Sequence, residues 1–119
     1  MPQTTIPAPT RPSGSALPTA SARLIQFTDT HLMRDPAGSI RGARTLPRLQ
    51  ACLAHAQRHF FPVDAVLLTG DVVHDEPEAY GTIDLLFGEL GAPVLVIPGN
   101  HDVPDEMRRQ LGHVPFQLG

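Results

Sequence analysis

Three short clusters of Asp, His and Asn carry side chains that bind metal ions in proteins. They are D-T-H at residues 29–31, G-D at residues 70–71 and G-N-H-D at residues 99–102. Carboxylate, imidazole and amide oxygen suit Zn, Mn or Fe, whereas a thiolate cage is excluded because Cys52 is the only cysteine. One cluster alone is typical of an ordinary turn, since Asp and Asn are frequent in turns. Three such clusters along one chain predict a metal-binding site.

Each cluster follows a short apolar run that is typical of a β-strand. These runs occupy residues 23–28, 65–69 and 93–97. Helices are predicted at residues 45–60, 77–90 and 104–111, the first two from apolar residues spaced by three and four. Alternating strands and helices favour parallel pairing, which brings the strands' carboxyl ends to one edge of the sheet. We therefore expect an α/β fold with a mainly parallel three-stranded sheet and flanking helices, and Thr45 as the N-cap of the first helix.

The composition excludes several classes of function. The chain has 119 residues, a mass of 12.8 kDa and a formal net charge of −3, which argues against nucleic acid as a partner and against a polybasic membrane anchor. All nine basic residues are Arg, so neither a P-loop lysine nor a Schiff-base lysine is present. No apolar stretch approaches about 18 residues, so we expect no membrane span and a cytoplasmic location.

The chain divides by composition into two parts. Residues 1–22 are rich in Pro, Ser, Thr and Ala and contain one charged residue, Arg11. Such a segment buries too little apolar surface to offset its ordering entropy, and we expect a disordered lead-in. Residues 23–119 contain every predicted strand and helix and all three clusters. We expect them to form one small domain.

In order and context, the three clusters resemble the calcineurin-like metallophosphoesterase superfamily. The similarity is greatest to its class III cyclic-nucleotide (cyclic-AMP) phosphodiesterase branch. It rests on Q-F-T-D-T-H-L at residues 26–32, L-T-G-D-V-V-H-D at residues 68–75 and V-I-P-G-N-H-D at residues 96–102. It extends over residues 23–111, and it implies the N-terminal half of the family's α/β sandwich, a partial phosphoesterase domain at residues 23–119.

The resemblance also implies a site and a reaction. The metal ligands would be Asp29, His31, Asp71 and Asn100, with Asp71 bridging two divalent or trivalent ions of Fe, Mn or Zn. A hydroxide bridging the two metals would attack a small-molecule phosphoester, most of all a cyclic nucleotide, and His101 would be the catalytic residue that meets the phosphate. Either Asp102 or Asp75 would orient His101, and the sequence leaves both open.

The family's pattern continues with a lone metal-binding His and a G-H-x-H motif that the 119 residues do not include. Residues 112–115 read G-H-V-P, with Pro115 where the second His would stand. The sequence therefore leaves open a truncated, non-catalytic fragment that binds one metal weakly or pairs with another chain. Its partner would be a second copy, forming a homodimer, or the missing C-terminal half, because one apolar flank of the sheet would be exposed. A phosphate-binding module without hydrolysis is a third alternative.

Four other side chains allow a simpler interpretation. His55 and His59 form H-x-x-x-H on the first helix, but Ala56 stands where a zinc protease needs Glu, so we expect surface residues. Cys52 borders the apolar stripe and is expected to be a small core residue. His74 fits equally well as a substrate-contacting residue or as an exposed loop histidine.

Overall fold

The computed structural model describes residues 21–119, so all but the last two residues of the predicted lead-in lie outside the described part. The strands are β1 (Leu24–Thr28), β2 (Ser39–Ile40), β3 (Ala43–Arg44), β4 (Ala65–Thr69), β5 (Val94–Ile97) and β6 (Phe116–Leu118). The helices are α1 (Thr45–His59), α2 (Tyr80–Phe87) and α3 (Pro104–Leu111), with a 3₁₀ turn at Pro77–Ala79 before α2. The predicted α/β class, a parallel sheet with flanking helices, is confirmed.

The central sheet has four parallel strands in the order β1-β4-β5-β6. Each new strand along the chain is added on the same side of the previous one. Crossovers between parallel strands are right-handed, so an order that advances in one direction places every connecting helix on the same face. The burial pattern agrees, because Val66 and Leu68 of β4 are fully buried while their neighbours along the strand are only partly buried.

The core lies between this covered face and the helices. Buried side chains come from β4 and β5 (Val66, Leu68, Val94 and Val96) and from the helices (Leu49, Leu53, Ile83, Phe87, Met107 and Leu111). Leu49, Leu53 and Ala56 of α1 recur at spacings of four and three, which places them on one stripe of the helix. Full burial of each large side chain contributes about 1.5–3 kcal/mol, so this layer holds the helices to the sheet.

The opposite face of the sheet is open within residues 21–119. Leu24, Leu95 and Ile97 keep 56%, 38% and 51% of their surface exposed. A shallow cavity of about 400 Å³ lies on this face, lined by Leu67, Leu95, Ile97 and Leu118 among others. The exposed apolar flank expected from the sequence is therefore present. In the same part of the chain, no helix is long and apolar enough to cross a membrane.

The sheet differs from the three-stranded prediction at its edge. Phe116–Leu118 forms a fourth parallel strand beside β5, which the sequence did not indicate because three residues are too few to show strand periodicity. A small antiparallel ribbon pairs β2 with β3 in the predicted loop between the first strand and helix. Its turn residues, Arg41 and Gly42, both have positive φ, as in a two-residue hairpin turn.

Three local predictions were wrong. Thr45 is the first residue of α1 rather than its cap; Arg44 precedes the helix with extended backbone and makes no capping side-chain bond. The second helix spans Tyr80–Phe87 rather than residues 77–90, since Pro77–Ala79 form a 3₁₀ turn and Gly88 follows as the C-cap. Cys52 is exposed rather than part of the core, because it lies one position beside the buried stripe of α1.

Candidate metal centre

The three clusters converge because backbone hydrogen bonds continue past the strand ends. In the register of the sheet, Thr28 lies beside Thr69 and Thr69 beside Ile97. Past these last paired residues of the strands, Asp29 N donates to Gly70 O at 3.0 Å, and Gly70 N donates to Ile97 O at 2.7 Å. The loops that carry the Asp, His and Asn residues are therefore held against one another at the carboxyl edge, as predicted.

Several residues with acidic or imidazole side chains at this edge of the sheet have an unusual backbone conformation. Asp29, His31, Asp71 and Asp75 all have positive φ, between 48° and 64°. The left-handed region costs a non-glycine residue roughly 1–2 kcal/mol, and Asp tolerates it best because its side chain can bond locally. Strained residues that cluster in this way mark functional sites in many proteins.

Gly99 explains how closely two of the loops approach. A Cβ at Gly99 would overlap both the backbone nitrogen and a carboxyl oxygen of Asp71. The loop after β5 therefore packs directly on the loop after β4, with no room for a side chain between them. His101, two residues later, uses this approach to donate its backbone N–H to Asp71 Oδ1 at 2.8 Å.

Asp29, His31 and Asp71 form a compact trio of ligand atoms within 4.8 Å of one another. His31 Nε2 lies 3.8 Å from Asp29 Oδ1 and 3.9 Å from Asp71 Oδ2. Asp71 Oδ1 is already held by the backbone N–H of His101, whereas the single hydrogen of the Thr28 hydroxyl lies between two acceptors, Asp29 Oδ2 at 2.8 Å and Thr69 O at 2.5 Å. Each carboxylate thus directs one oxygen toward the same imidazole nitrogen. Two oxygens and one nitrogen so arranged fit a divalent transition metal ion.

A second group lies next to the trio and contains His74, Asp75 and His101. His101 Nδ1 is 3.2 Å from both carboxylate oxygens of Asp75. The His74 and His101 rings are stacked, with centroids 4.4 Å apart and planes 24° apart. His74 Nδ1 also lies 3.1 Å from His31 Nδ1. His74 is therefore half-buried between two predicted site residues, a position that the sequence did not distinguish from an exposed loop.

Of the two carboxylates that the sequence left open as partners of His101, Asp75 makes the contact. Asp102 is buried instead and accepts four hydrogen bonds, from the backbone N–H groups of Val72, Val73 and Gly99 at 3.0, 3.0 and 2.8 Å and from the Tyr80 hydroxyl at 2.8 Å. It therefore joins the loop after β4 to the loop after β5. Asp102 supports the site without facing it.

Tyr80 completes this internal support. Its hydroxyl donates to Asp102 and accepts the backbone N–H of Val103 at 3.0 Å. Burial raises the pKa of the Tyr80 phenol well above its ordinary value; the hydrogen bond from the Val103 N–H opposes part of this rise, and the nearby Asp102 carboxylate adds to it. The phenol is therefore kept protonated and able to donate.

The remaining candidate residues are exposed to solvent. Asn100 is exposed in the loop after β5, between Gly99 and His101, and its role as a ligand stays a prediction. His55 and His59 are exposed on α1 with ring centroids 4.4 Å apart, in keeping with the surface position predicted for them.

Two cavities differ in their relation to the trio. One of about 340 Å³ adjoins it and lies between the end of β1, the β2–β3 ribbon and α1, with Arg48 and Cys52 in its wall beside Asp29 and His31. A larger one, of about 730 Å³, is lined by Gly, Ala, Pro, Val, Phe and Gln residues at the other edge of the sheet. Its walls carry no charged or metal-binding side chain, so the smaller cavity is the one relevant to the site.

Comparison with known proteins gives a consistent result. Residues 22–117 match the family model described as calcineurin-like phosphoesterase. A probable cyclic nucleotide phosphodiesterase of Synechococcus is 36% identical over 94 residues, which are 78% of this chain and 36% of that protein. The 3′,5′-cyclic adenosine monophosphate phosphodiesterases CpdA of Haemophilus influenzae and Escherichia coli are each 33% identical, over 79% and 77% of this chain and 35% and 34% of their own lengths. The chain thus spans about a third of the length of these relatives.

Proposed function

Because this chain belongs to the calcineurin-like phosphoesterase family, we propose that its site serves the metal-dependent hydrolysis of a phosphoester. The observation that carries the proposal is the approach of His31 Nε2 to one oxygen each of Asp29 and Asp71, at 3.8 and 3.9 Å. The relatives are named as cyclic nucleotide phosphodiesterases, which supports a cyclic nucleotide as the substrate.

Two ions of Fe, Mn or Zn are proposed as cofactors. Asp29 and His31 would hold the first ion, Asp71 would contact both, and Asn100 would hold the second. Bound ions of this kind lower the pKa of water and neutralise charge on a phosphate group. The chain's own contribution is to fix a ligand: the His101 backbone N–H orients the Asp71 carboxylate before any ion arrives.

His101 is the proposed catalytic residue. Asp75 contacts its Nδ1, and this contact holds the ring and leaves Nε2 as the nitrogen that can meet the substrate. A proton on Nε2 would stabilise charge on a phosphate oxygen or pass to the departing alkoxide. The adjoining cavity of about 340 Å³ is of a size that accepts small molecules, and Arg48 gives its wall a positive charge.

The second candidate is a non-catalytic role, in which the chain binds one metal weakly and pairs with another chain. The open apolar face of the sheet supports it, since a surface bearing exposed Leu24, Leu95 and Ile97 favours contact with a further layer of protein. That layer would come from a second copy of this chain or from the remainder of a phosphoesterase domain.

The test of the proposed function is Asp71→Asn, with cyclic AMP hydrolysis and metal content measured in parallel. The amide keeps an oxygen for the His101 N–H but loses the charged ligand. Substitution of a residue that only supports a metal ligand lowers metal affinity or activity by about 10–100-fold. Because Asp71 is itself a proposed ligand, we expect metal affinity and the rate of hydrolysis each to fall by roughly 100-fold or more. The matched control is Asp105→Asn, an exposed carboxylate on α3 that pairs with Arg108.

The outcomes separate the two candidates. Hydrolysis by the wild-type chain that is lost in Asp71→Asn and kept in Asp105→Asn supports the enzyme. Hydrolysis unchanged in Asp71→Asn overturns the metal centre. The non-catalytic role is favoured if the wild-type chain binds one ion weakly, does not hydrolyse cyclic AMP and elutes from gel filtration at a mass greater than that of one chain.

A further inference from the structure

The two ring nitrogens of His31 face different surroundings. Nε2 faces the carboxylates of Asp29 and Asp71, whereas Nδ1 lies 3.1 Å from Nδ1 of His74. A neutral imidazole carries its proton on one nitrogen and a lone pair on the other. Binding of a metal through Nε2 therefore requires the proton on Nδ1, and a group near Nδ1 must accept it.

We infer that His74 is a positioning residue that accepts the Nδ1–H of His31 and so leaves the Nε2 lone pair of His31 available to an ion bound between Asp29 and Asp71. The inference rests on the proposed metal centre for its purpose, but the hydrogen bond itself is a property of the metal-free chain. In this arrangement His74 accepts at Nδ1 and carries its own proton on Nε2.

The backbone holds His74 in place for this task. His74 N donates to Leu32 O at 2.9 Å, and Leu32 pairs with Val73 in an isolated parallel bridge. Leu32 and Val73 are almost completely buried, so the segment cannot shift without opening the core. The ring is also stacked on the imidazole of His101. His74 therefore meets Nδ1 of His31 with little freedom to turn away.

The stacking also argues against His74 as a ligand in a second metal trio with Asp75 and His101. The lone pairs of two imidazoles lie in their ring planes, and planes only 24° apart direct them side by side rather than toward one point. His101 Nδ1 is moreover engaged with Asp75 at 3.2 Å. Hydrogen bonding to His31 is the role that the His74 geometry fits.

The test uses two substitutions at position 74. His74→Phe keeps a flat ring and removes the acceptor, whereas His74→Asn places an amide oxygen close to the position of Nδ1 and removes the ring. Long-range ¹H–¹⁵N NMR of the histidine rings reports which nitrogen of His31 is protonated, in metal-free protein at about pH 8.5, above the range in which free histidine titrates. Zn²⁺ titration then gives the affinity of each variant. His59→Phe, at an exposed histidine of α1, is the control.

We expect Nδ1–H on His31 in the wild type, in His74→Asn and in the control. His74→Phe should move the proton of His31 toward Nε2 and weaken Zn²⁺ binding at His31 by 10–100-fold, as loss of a partner to a ligating histidine does elsewhere. Rescue by Asn is the result that a purely structural role for the ring does not predict.

Two results overturn the inference: Nε2–H on His31 in the wild type, or an unchanged tautomer and Zn²⁺ affinity in folded His74→Phe. Failure of the proposed metal centre looks different. In that case Zn²⁺ leaves the His31 resonances unmoved in every variant, while the tautomer of the metal-free protein still decides the role of His74.

Discussion

At the scale of single residues, Tyr80 shows how the site is supported from behind. Its hydroxyl is buried between the Asp102 carboxylate and the Val103 backbone, and it is the only tyrosine in a chain without lysine. Few groups other than this phenol therefore change charge in moderately alkaline solution. A raised pKa means that the folded chain keeps the Tyr80 proton at a pH where the unfolded chain releases it.

Tyr80 should therefore contribute no pH dependence to stability below its ordinary pKa of 10.0, and stability should fall as the pH rises above that value. Tyr80→Phe should remove this alkaline loss. It should also cost about 1–3 kcal/mol near neutral pH, because Asp102 and the Val103 N–H each lose a buried partner. Urea unfolding across the alkaline range, with phenolate absorbance recorded in parallel, measures both effects.

The control for the lost hydroxyl is Thr82→Val, on the same helix, which should change stability by no more than about 0.5 kcal/mol. An alkaline decline of the same size in wild type and Tyr80→Phe would contradict the assignment of the decline to this phenol.

At the scale of elements, the two loops that carry Asp71 and His101 are joined through one buried carboxylate. Asp102 Oδ1 accepts the Val73 N–H and the Tyr80 hydroxyl, and Oδ2 accepts the N–H groups of Val72 and Gly99. Asp102 thus ties the loops after β4 and β5 to each other and to the start of α2. A carboxylate suits this point because it accepts at both oxygens and donates at neither.

Asp102→Asn tests this connection with almost no change of shape. Whichever way the amide turns, its NH₂ group replaces an oxygen that two donors use, so two buried donors lose their acceptor. At about 1–3 kcal/mol for each unsatisfied group, we expect a loss of roughly 2–6 kcal/mol in the free energy of unfolding, measured by urea denaturation.

Asp105→Asn is the matched control, because that carboxylate is exposed and its ion pair with Arg108 contributes little, at most about 1 kcal/mol. Equal stability of Asp102→Asn and Asp105→Asn would show that Asp102 does not hold the loops together.

At the scale of the whole molecule, the sheet has one covered and one open face. The strand order advances in one direction, so the three crossover helices occupy a single side and the described residues provide no layer for the other. The open side carries the apolar side chains of Leu95 and Ile97 beside polar ones such as Gln26 and Thr69, which bond to each other at 2.7 Å. This face is where a second layer of protein would pack.

We expect the 119-residue chain to self-associate through this face and Ile97→Lys to weaken the association. Both copies carry the substitution, so a dimer loses two buried Ile side chains and about 3–6 kcal/mol of apolar burial. Every 1.4 kcal/mol is tenfold, so the dissociation constant should rise by about 100-fold or more. Sedimentation velocity over a range of concentrations measures it.

Leu85→Lys provides the comparison, since Leu85 is 73% exposed on α2, on the helical side of the sheet. It should leave association unchanged. If the wild-type chain is monomeric at every concentration, or if the two Lys variants behave alike, the open face is not a self-association surface.

Much of the fold and the convergence of the predicted ligand residues could be predicted from the sequence. The apolar run at residues 65–69 determined β4 to the residue, and α3 matches its predicted bounds of residues 104–111. The alternation of strand and helix determined that Asp29, His31 and Asp71 would meet at one edge, because parallel strands all end on the same side. These features depend on local sequence or on the order of elements along the chain, and both can be read from the sequence.

Tertiary structure alone decided which side chains touch. Asp102 adjoins His101 in sequence and Asp75 lies 26 positions away, yet Asp75 contacts the ring because the turn after β5 sends Asp102 inward to buried N–H groups. The contact between His31 and His74 likewise spans 43 positions and depends on the pairing of Leu32 with Val73. Such contacts are set by the register of distant segments and by the demand of buried donors for an acceptor, neither of which appears in the spacing of residues along the chain.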